Sequence, residues 1–315
     1  MSQIPTPRHP ITLTAGGYTA VLSPAGARLV ALATETGHSL VLPATETGAN
    51  PEARGEILAP WPNRVSDGTY CWLGEEYKLP LNEPDLGNAI HGVVRDQLWN
   101  FNSVVDTAEG QTASATLKTP VAKGYPFNVS YEVTYHLSAN GLSTTLTARN
   151  EGEIAAPYAA GAHPYLTVGA TCGIQGVVDR WTLQLPARTV LKVSPRMIPF
   201  AEYSVDDPLE FTTPQSLAGL DIDHAFGSLQ ADSDGAIRVS LTDESDGTST
   251  ILTAEEGINW IQIYTDGGNR RGVAVEPMTS PANAFNSGID LITLEPGATH
   301  RCSWRIEQVP APLAR

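Results

Sequence analysis

The chain has 315 residues, of which 19 are lysine or arginine and 34 are aspartate or glutamate, so its formal net charge is −15. A surface of this sign repels the phosphates of nucleic acids and anionic lipids, which argues against both as partners. Hydrophobic residues make up 41% of the chain and charged residues 17%, as expected for a globular rather than a disordered protein.

The cysteines and the N-terminus bear on where the protein works. Cys71, Cys172 and Cys302 are odd in number and far apart, so the sequence predicts neither a disulfide framework nor a C-x-x-C zinc site. Residues 1–13 lack a basic segment followed by an apolar core, unlike a secretory signal. No apolar run approaches the roughly 20 residues that cross a bilayer. We therefore expect a soluble, cytoplasmic protein.

Short strands joined by turns are predicted along the chain, because helical periodicity is almost absent and 28 glycines and 24 prolines are scattered through it. The segment 214–220 is compatible with a short helix, and the acidic stretch 231–250 is interpreted as solvated turns rather than a calcium site. Apart from a hairpin described next, the predicted strands lie within segments 9–24, 27–34, 38–44, 181–187, 237–243, 248–254, 258–266, 272–278 and 300–309.

The clearest element is a hairpin over residues 127–150, with Asn140–Gly141 as its turn signal. Apolar or small side chains alternate on one face of each strand, as in Val129, Tyr131, Val133, Tyr135 and Leu137, and then Leu142, Thr144, Leu146 and Ala148. The sequence thus predicts one all-β domain over residues 1–315, with strands at the spacing of a large sandwich.

Two polar stretches occur in the first third of the chain. Asn63 and Arg64 follow Pro60, Trp61 and Pro62, which predict an extended loop. An arginine on such a backbone suits a clamp for hydroxyl or carboxylate groups, or equally a structural salt bridge. Next, His91 precedes Gly92, where a ligand can approach the backbone closely, although a core or turn histidine is the alternative.

Two further histidines follow. His163 precedes Pro164, which favours an extended backbone and hence a stiffly held imidazole. A histidine satisfied at a strand edge is the alternative. Asp223 and His224 precede an apolar pair, and a turn with a solvated acid is the alternative there.

Glu276 is the strongest candidate for chemistry. It is predicted to end the apolar strand that contains Val273 and Val275, directly before Pro277. A carboxylate there is costly unless it is partnered or functional, and burial raises its pKa towards that of a general base.

Metal and nucleotide chemistry find little support in the sequence. His91, His163 and His224 show none of the spacings of zinc motifs, and no nucleophile elbow, P-loop or dinucleotide fingerprint occurs. What remains is acid–base chemistry with a carboxylate and an imidazole.

The blocks PWPNRVSDGTY, NAIHGVVRDQLW, GAHPYLTVG, DHAFGSL and VAVEPMTSPANAF, between residues 60 and 285, resemble in type and order those of the aldose 1-epimerase (galactose mutarotase) family. The resemblance implies a large antiparallel β-sandwich, the galactose mutarotase-like supersandwich. It also implies interconversion of the α and β anomers of a free hexose, without cofactor or metal. The expected partner is a monosaccharide, and the protein is expected to be a monomer or a homodimer.

The resemblance also implies roles for individual residues. Glu276 matches the base that takes the proton from the C1 hydroxyl, and His163 matches the acid that protonates the ring oxygen. The resting enzyme then holds a protonated His163 and an ionised Glu276. The expected sugar-binding residues are Asn63, Arg64, His91, Tyr165 and Asp223, together with an apolar face of Trp61.

Two positions depart from the better-known galactose mutarotases. Ala162 stands where an asparagine is common, and Met278 stands where a glutamine is frequent, so the substrate need not be galactose. The residues also fit a mutarotase for a sulfonated or phosphorylated sugar, with its extra positive charge supplied from among Arg95, Lys123, Arg188 and Arg270. They fit as well a non-catalytic carbohydrate-binding protein of the same fold, or a glycosidase that uses Asp223 with Glu276.

Overall fold

The computed structural model describes residues 9–95, 97–118, 122–206 and 208–310. Residues 1–8, which entered the argument about a secretory signal, lie outside the described part. The strands in this part, in chain order, are β1 (Ile11–Ala15), β2 (Tyr18–Ser23), β3 (Arg28–Thr34), β4 (Ile57–Leu58), β5 (Arg64–Ser66), β6 (Thr69–Trp72), β7 (Glu75–Lys78), β8 (Asn88–Ile90), β9 (Asn100–Phe101), β10 (Val105–Asp106), β11 (Gly110–Lys118), β12 (Val129–Ser138), β13 (Gly141–Asn150), β14 (Ala156–Tyr158), β15 (Gly161–Ala162), β16 (Tyr165–Leu166), β17 (Trp181–Gln184), β18 (Thr189–Val193), β19 (Pro199–Ser204), β20 (Gln215–Ser216), β21 (Asp223–Gly227), β22 (Ile237–Asp243), β23 (Ser249–Ala254), β24 (Trp260–Tyr264), β25 (Val273–Met278), β26 (Ile292–Leu294) and β27 (Thr299–Val309).

Two large antiparallel sheets dominate the architecture, which confirms the all-β prediction. The larger sheet has the strand order β10-β11-β12-β13-β27-β23-β22-β17-β20, with β9 also paired to β11. The smaller sheet has the order β19-β18-β21-β24-β25-β15-β4, with β16 also paired to β25. Strands β1, β2 and β3 form a third sheet, and each of the pairs β14-β26, β5-β8 and β6-β7 forms a separate two-stranded sheet. Helix is confined to α1 (Ala284–Ser287) and two 3-10 turns, Gly169–Thr171 and Val177–Arg180, within the described ranges.

The predicted hairpin is confirmed as β12 and β13. Their register pairs Val129 with Asn150 at one end and Ser138 with Gly141 at the turn. Gly141 has a φ of 88°, a conformation that glycine adopts without the steric cost of a Cβ atom. The side chains expected to alternate inward along both strands are buried.

Two sequence predictions fail. The segment 38–44 forms isolated bridges, Ala33 with Ser39 and Val41 with Leu166, instead of a strand. The segment 214–220 contains the short strand β20 rather than a helix, because Gln215 and Ser216 pair with β17 at the edge of the larger sheet. A sheet edge supplies backbone partners that override weak local helix propensity.

The core joins buried side chains of both large sheets in one cluster, including Tyr135 and Trp181 from the larger sheet and Ile263 and Val275 from the smaller. Full burial of a valine or isoleucine side chain contributes about 1.5–3 kcal/mol to the free energy of unfolding. Strand β25 lies between β24 and β15 and is buried along its whole length, which places Glu276 in an interior position. None of the helices in the described ranges is long and apolar enough to cross a membrane.

Candidate functional site

A pocket of about 540 Å³ opens beside the smaller sheet. Seven of the eight residues predicted for the site line it, and Trp61 does not. The lining residues among those described are Pro51, Glu52, Asn63, Arg64, Asn82, Glu83, Ile90, His91, Arg95, His163, Tyr165, Asp223, Tyr264 and Glu276.

The register of the smaller sheet brings Asp223 and Glu276 to one face. In the antiparallel pairing, Gln262 on β24 lies opposite Glu276 on β25, and Tyr264 lies opposite Asp223 on β21. Side chains two residues apart share a face, so all four project to the same side. Gln262 Nε2 donates a hydrogen bond to Asp223 Oδ1 across the strands. Contrary to the sequence prediction, Glu276 does not end β25, which continues through Pro277 to Met278.

His163 reaches Glu276 because the two strands around it, β15 and β16, both pair with β25. Its backbone is held on the other side, since His163 N–H donates to the Glu56 carbonyl at 3.1 Å and its carbonyl accepts from Gly55 N–H at 2.8 Å. His163 Nε2 lies 3.4 Å from Glu276 Oε1. The stiff placement expected from Pro164 therefore has a tertiary basis as well as a local one.

Aromatic rings enclose the His163 imidazole. Tyr165 stacks on it with ring centroids 5.1 Å apart and planes 13° from parallel. His91 approaches edge-on, with centroids 5.2 Å apart and planes at 76°. The Arg54 guanidinium lies over the Tyr165 ring, 5.3 Å from its centroid. These contacts restrict the imidazole to one orientation.

Asn63 and His91 line another side of the pocket, and the backbone of each residue is strained. Both have positive φ values, 54° and 65°. Asn63 N–H donates to His91 Nδ1 at 3.2 Å, and His91 N–H donates to the Asn63 carbonyl at 2.9 Å. Because Nδ1 accepts, the neutral His91 ring carries its proton on Nε2 and presents a donor there. The backbone strain is of the kind found at functional sites.

Arg64 begins β5 and lies between carboxylates. Its Nε and Nη2 atoms donate to Glu83, and its Nη1 atom lies 3.4 Å from Asn63 Oδ1 and 3.9 Å from Asp223 Oδ2. The side chain is 12% exposed. The arginine is thus a preorganised polar wall of the pocket.

Burial sets the protonation of the central pair. It raises the pKa of the Glu276 carboxyl well above its usual value; the nearby Asp223 carboxylate adds to this rise, and Arg64 opposes it. Burial, followed by the positive charge of Arg95, lowers the pKa of His163 to about 3. The environment therefore favours a neutral His163 and a protonated Glu276, the reverse of the resting arrangement expected from the sequence. Desolvation penalises both charged forms.

Two further titratable side chains of the pocket, His91 and Asp223, are also shifted towards their neutral forms. Burial lowers the pKa of His91 well below its usual value, and the adjacent His163 contributes. Burial also raises the pKa of Asp223, although Arg64 and the hydrogen bond from Gln262 partly offset it. The pocket thus disfavours added charge at each of these groups.

Some polar atoms of the site lack a partner within the described chain. His163 Nδ1 and Glu276 Oε2 are buried and make no hydrogen bond there. A buried polar atom left unpaired costs about 1–3 kcal/mol. The lining of the pocket supplies further polar groups, among them Asn63, Arg64 and Asp223.

Trp61 is the misplaced prediction. It is 3% exposed and packs on Tyr125 and Phe285, with ring centroids 6.3 and 5.5 Å away. Trp61 stands between two prolines in the chain and its indole lies in the core, whereas Asn63 and Arg64, which follow, line the pocket. Trp61 is therefore a core residue and not a sugar-facing wall.

The four cations considered for a charged substrate are separated in space. Arg95 lines the pocket, where its Nε donates to Glu56 Oε2 at 3.0 Å and its Nη2 donates to the Asn50 carbonyl at 2.9 Å. Arg270 is paired with Asp179 outside the pocket. As far as the described residues go, Lys123 and Arg188 are not among those lining the pocket.

Sequence reasoning missed several residues of the site. Gln262 had a usable signal, since a glutamine within an apolar strand must find a partner when buried. Glu52, Asn82 and Glu83 lie in loops, and Tyr264 lies on a predicted strand without a distinguishing pattern. Over the described ranges, no group of three His, Cys, Asp or Glu side chains is arranged to hold a metal ion.

Comparison with known proteins identifies the family and the fold. The family model described as "Aldose 1-epimerase" matches residues 9–307. The Escherichia coli (strain K12) uncharacterized protein YihR is 38% identical over 299 residues, covering 94% of this chain and 92% of YihR.

Solved structures share the fold at low sequence identity. A galactose mutarotase-like protein from Clostridium acetobutylicum superposes with a TM-score of 0.87 at 20% identity, covering 98% of each chain. The galactose 1-epimerase from Lactobacillus acidophilus NCFM has a TM-score of 0.80 at 20% identity, covering 96% of this chain and 95% of its own. From the extent of the family match and the identity to YihR, we conclude that this chain belongs to the aldose 1-epimerase family.

Proposed function

We propose that the chain is a mutarotase that interconverts the α and β anomers of a free hexose by opening and closing its ring. The observation that carries this proposal is the buried contact of 3.4 Å between His163 Nε2 and Glu276 Oε1. Ring opening removes the proton from the C1 hydroxyl and adds a proton to the ring oxygen, and both oxygens are bonded to C1. A base and an acid this close together reach the two oxygens of one carbon simultaneously.

The reaction follows from the two groups. Glu276 takes the C1 hydroxyl proton, the freed electron pair forms the C1 carbonyl, the bond from C1 to the ring oxygen breaks, and His163 protonates that oxygen. Rotation about the C1–C2 bond presents the other carbonyl face, and closure runs the transfers in reverse. Each transfer contributes on the order of 10²–10⁴-fold in rate.

One proton serves the pair. Burial favours placing it on Glu276, and its transfer to His163 across the contact yields the carboxylate and imidazolium that ring opening needs. The net charge of the pair does not change in this transfer. The Arg64 guanidinium opposes the rise in the pKa of Glu276 and so favours the ionised carboxylate, while it disfavours the imidazolium by lowering the pKa of His163. Hydroxyl groups of a bound sugar favour the same state by hydrogen bonding to it.

The remaining polar residues are proposed to hold the sugar. Arg64, Asn63 and the Nε2 donor of His91 supply hydrogen bonds to hydroxyl oxygens, and Asp223 accepts from hydroxyl protons. These contacts keep the open-chain form in place until it closes. We propose that Tyr165 acts mainly by stacking on His163, because its side chain is 2% exposed.

Anomer exchange measured by NMR tests the proposal. Freshly dissolved α-glucose and α-galactose are followed with the wild-type protein, Glu276→Gln and His163→Gln. Acceleration by the wild type that both substitutions abolish is the expected result. The same assay is then run with hexoses that carry a charged C6 group. If the protein binds these sugars but accelerates the exchange of none of them, the result would support a non-catalytic carbohydrate-binding protein instead.

A further inference from the structure

We propose that Glu83 is a positioning residue that fixes the Arg64 guanidinium and sets the preference of the pocket between neutral and anionic sugars; this inference rests on the proposed sugar-binding role of the pocket. Glu83 lies in the loop between β7 and β8 and lines the pocket. No motif of the sequence pointed to it.

The contact between Glu83 and Arg64 is bidentate. Arg64 Nε donates to Glu83 Oε2 at 3.0 Å, and Arg64 Nη2 donates to Glu83 Oε1 at 3.0 Å. The two side chains are 20% and 12% exposed, so water and salt screen the pair only in part. Two parallel charge-assisted hydrogen bonds fix the plane of the guanidinium as well as its position.

Glu83 is itself anchored to the strand that neighbours Arg64. Asn88 Nδ2 donates to Glu83 Oε2 at 2.8 Å, and the backbones of Glu83 and Asn88 exchange two hydrogen bonds of 3.1 Å. Asn88 is fully buried on β8, and β8 pairs with β5, where Arg64 lies opposite Ile90. The carboxylate therefore has a fixed location before any ligand enters.

This arrangement leaves one edge of the guanidinium directed at the pocket. With Nε and Nη2 committed to Glu83, the Nη1 atom lies between Asn63 Oδ1 and Asp223 Oδ2. A neutral hydroxyl group accepts a hydrogen bond from Arg64 without requiring a net positive charge. An anionic group is attracted by Arg64 but repelled by the Glu83 carboxylate beside it. Glu83 thus improves the fit for hydroxyl groups and weakens the attraction for anions.

Binding measurements on the whole protein test this inference without requiring turnover. Calorimetric titrations use glucose and glucuronate, which differ only at C6, with the wild type, Glu83→Gln, Glu83→Asp and the control Glu75→Gln. Glu75 is an exposed residue of β7 that does not line the pocket. Thermal melts of every variant establish that it is folded.

Glu83→Gln is expected to raise the Kd for glucose about tenfold, because a neutral amide replaces the charge-assisted bonds. It is also expected to shift the glucose-to-glucuronate preference about tenfold towards glucuronate, because one of the two carboxylates beside Arg64, Glu83 and Asp223, is then gone. Glu83→Asp keeps the charge and is expected to retain the wild-type preference despite weaker binding. A purely structural role would weaken both sugars equally.

Equal weakening of the two sugars by Glu83→Gln, or behaviour identical to that of Glu75→Gln, would overturn the inference. Sugar binding that depends on Glu83 in a protein that does not accelerate anomer exchange would defeat the proposed catalytic function and support this inference. A wild type that binds neither sugar would defeat both.

Discussion

Replacing Glu276 by glutamine is expected to stabilise the protein at neutral and alkaline pH while it abolishes anomer exchange. The Glu276 side chain is buried, and burial raises the pKa of its carboxyl well above the ordinary value of 4.5. Below that value the carboxyl is protonated in both the folded and the unfolded chain. As the pH rises from there through the raised pKa, the unfolded chain releases the proton first, and the wild type loses stability. The amide does not titrate, so the variant keeps its stability.

The size of the effect follows from the negative charge that the buried Glu276 carboxylate carries and the amide of the variant does not. A buried polar group without a partner costs about 1–3 kcal/mol, and more when it is charged. With an unfolding entropy of about 2.1 cal/mol/K per residue, a gain of this size raises the Tm of a 315-residue chain by about 1.5–4.5 °C. Loss of the base is expected to lower the exchange rate by about 10²–10⁴-fold.

Thermal melts of the wild type, Glu276→Gln and the exposed control Glu75→Gln, near pH 4 and near pH 8, check this reasoning. The Tm of Glu276→Gln is expected to match the wild type at the lower pH and to exceed it at the higher pH. A lower Tm for the variant near pH 8, or the same difference at both values, would refute the argument that burial destabilises the carboxylate.

Three further outcomes are expected. Because burial lowers the pKa of His163 to about 3, the His163 imidazole should not titrate near the ordinary histidine value of 6.5 when its NMR signals are followed against pH; a midpoint there would contradict this. Gly92→Ala should lower the free energy of unfolding by about 1–3 kcal/mol in denaturant titrations, since φ is 72° and a Cβ atom would lie 2.0 Å from the Ala59 carbonyl oxygen; an unchanged midpoint would argue against this strain. Trp61→Phe should lower the Tm without changing the KM for sugar, and a raised KM at constant Tm would place the indole at the pocket.

Local pattern predicted 11 of the 27 described strands and the types of the reactive residues. The hairpin β12–β13 was recognisable because alternation with a period of two and a turn signal are short-range features. The failures at segments 38–44 and 214–220 have the opposite origin. There, weak local preference is decided by which backbone partners the rest of the fold presents.

Within the site, Glu276 and His163 show the same contrast between what local pattern predicts and what tertiary pairing decides. Each stood out in the sequence, one by its carboxylate beside an apolar run and the other by its proline neighbour. That they touch depends on β25 pairing with β15 and β16, strands more than a hundred residues earlier in the chain. Their protonation also depends on the fold, because burial by distant elements and the charge of Arg95 set it.

What the sequence by itself determined is the all-β class, the family resemblance and the set of polar groups available for chemistry. Only the tertiary structure decided that Trp61 faces the core, that Gln262 bonds to Asp223, and that Glu83 holds Arg64. The physical reason is that composition and periodicity encode which surfaces are buried and which chemistry is present. Desolvation and directional hydrogen bonds act over a few ångströms in space, so their effects appear only when strands distant in the chain have been brought into register.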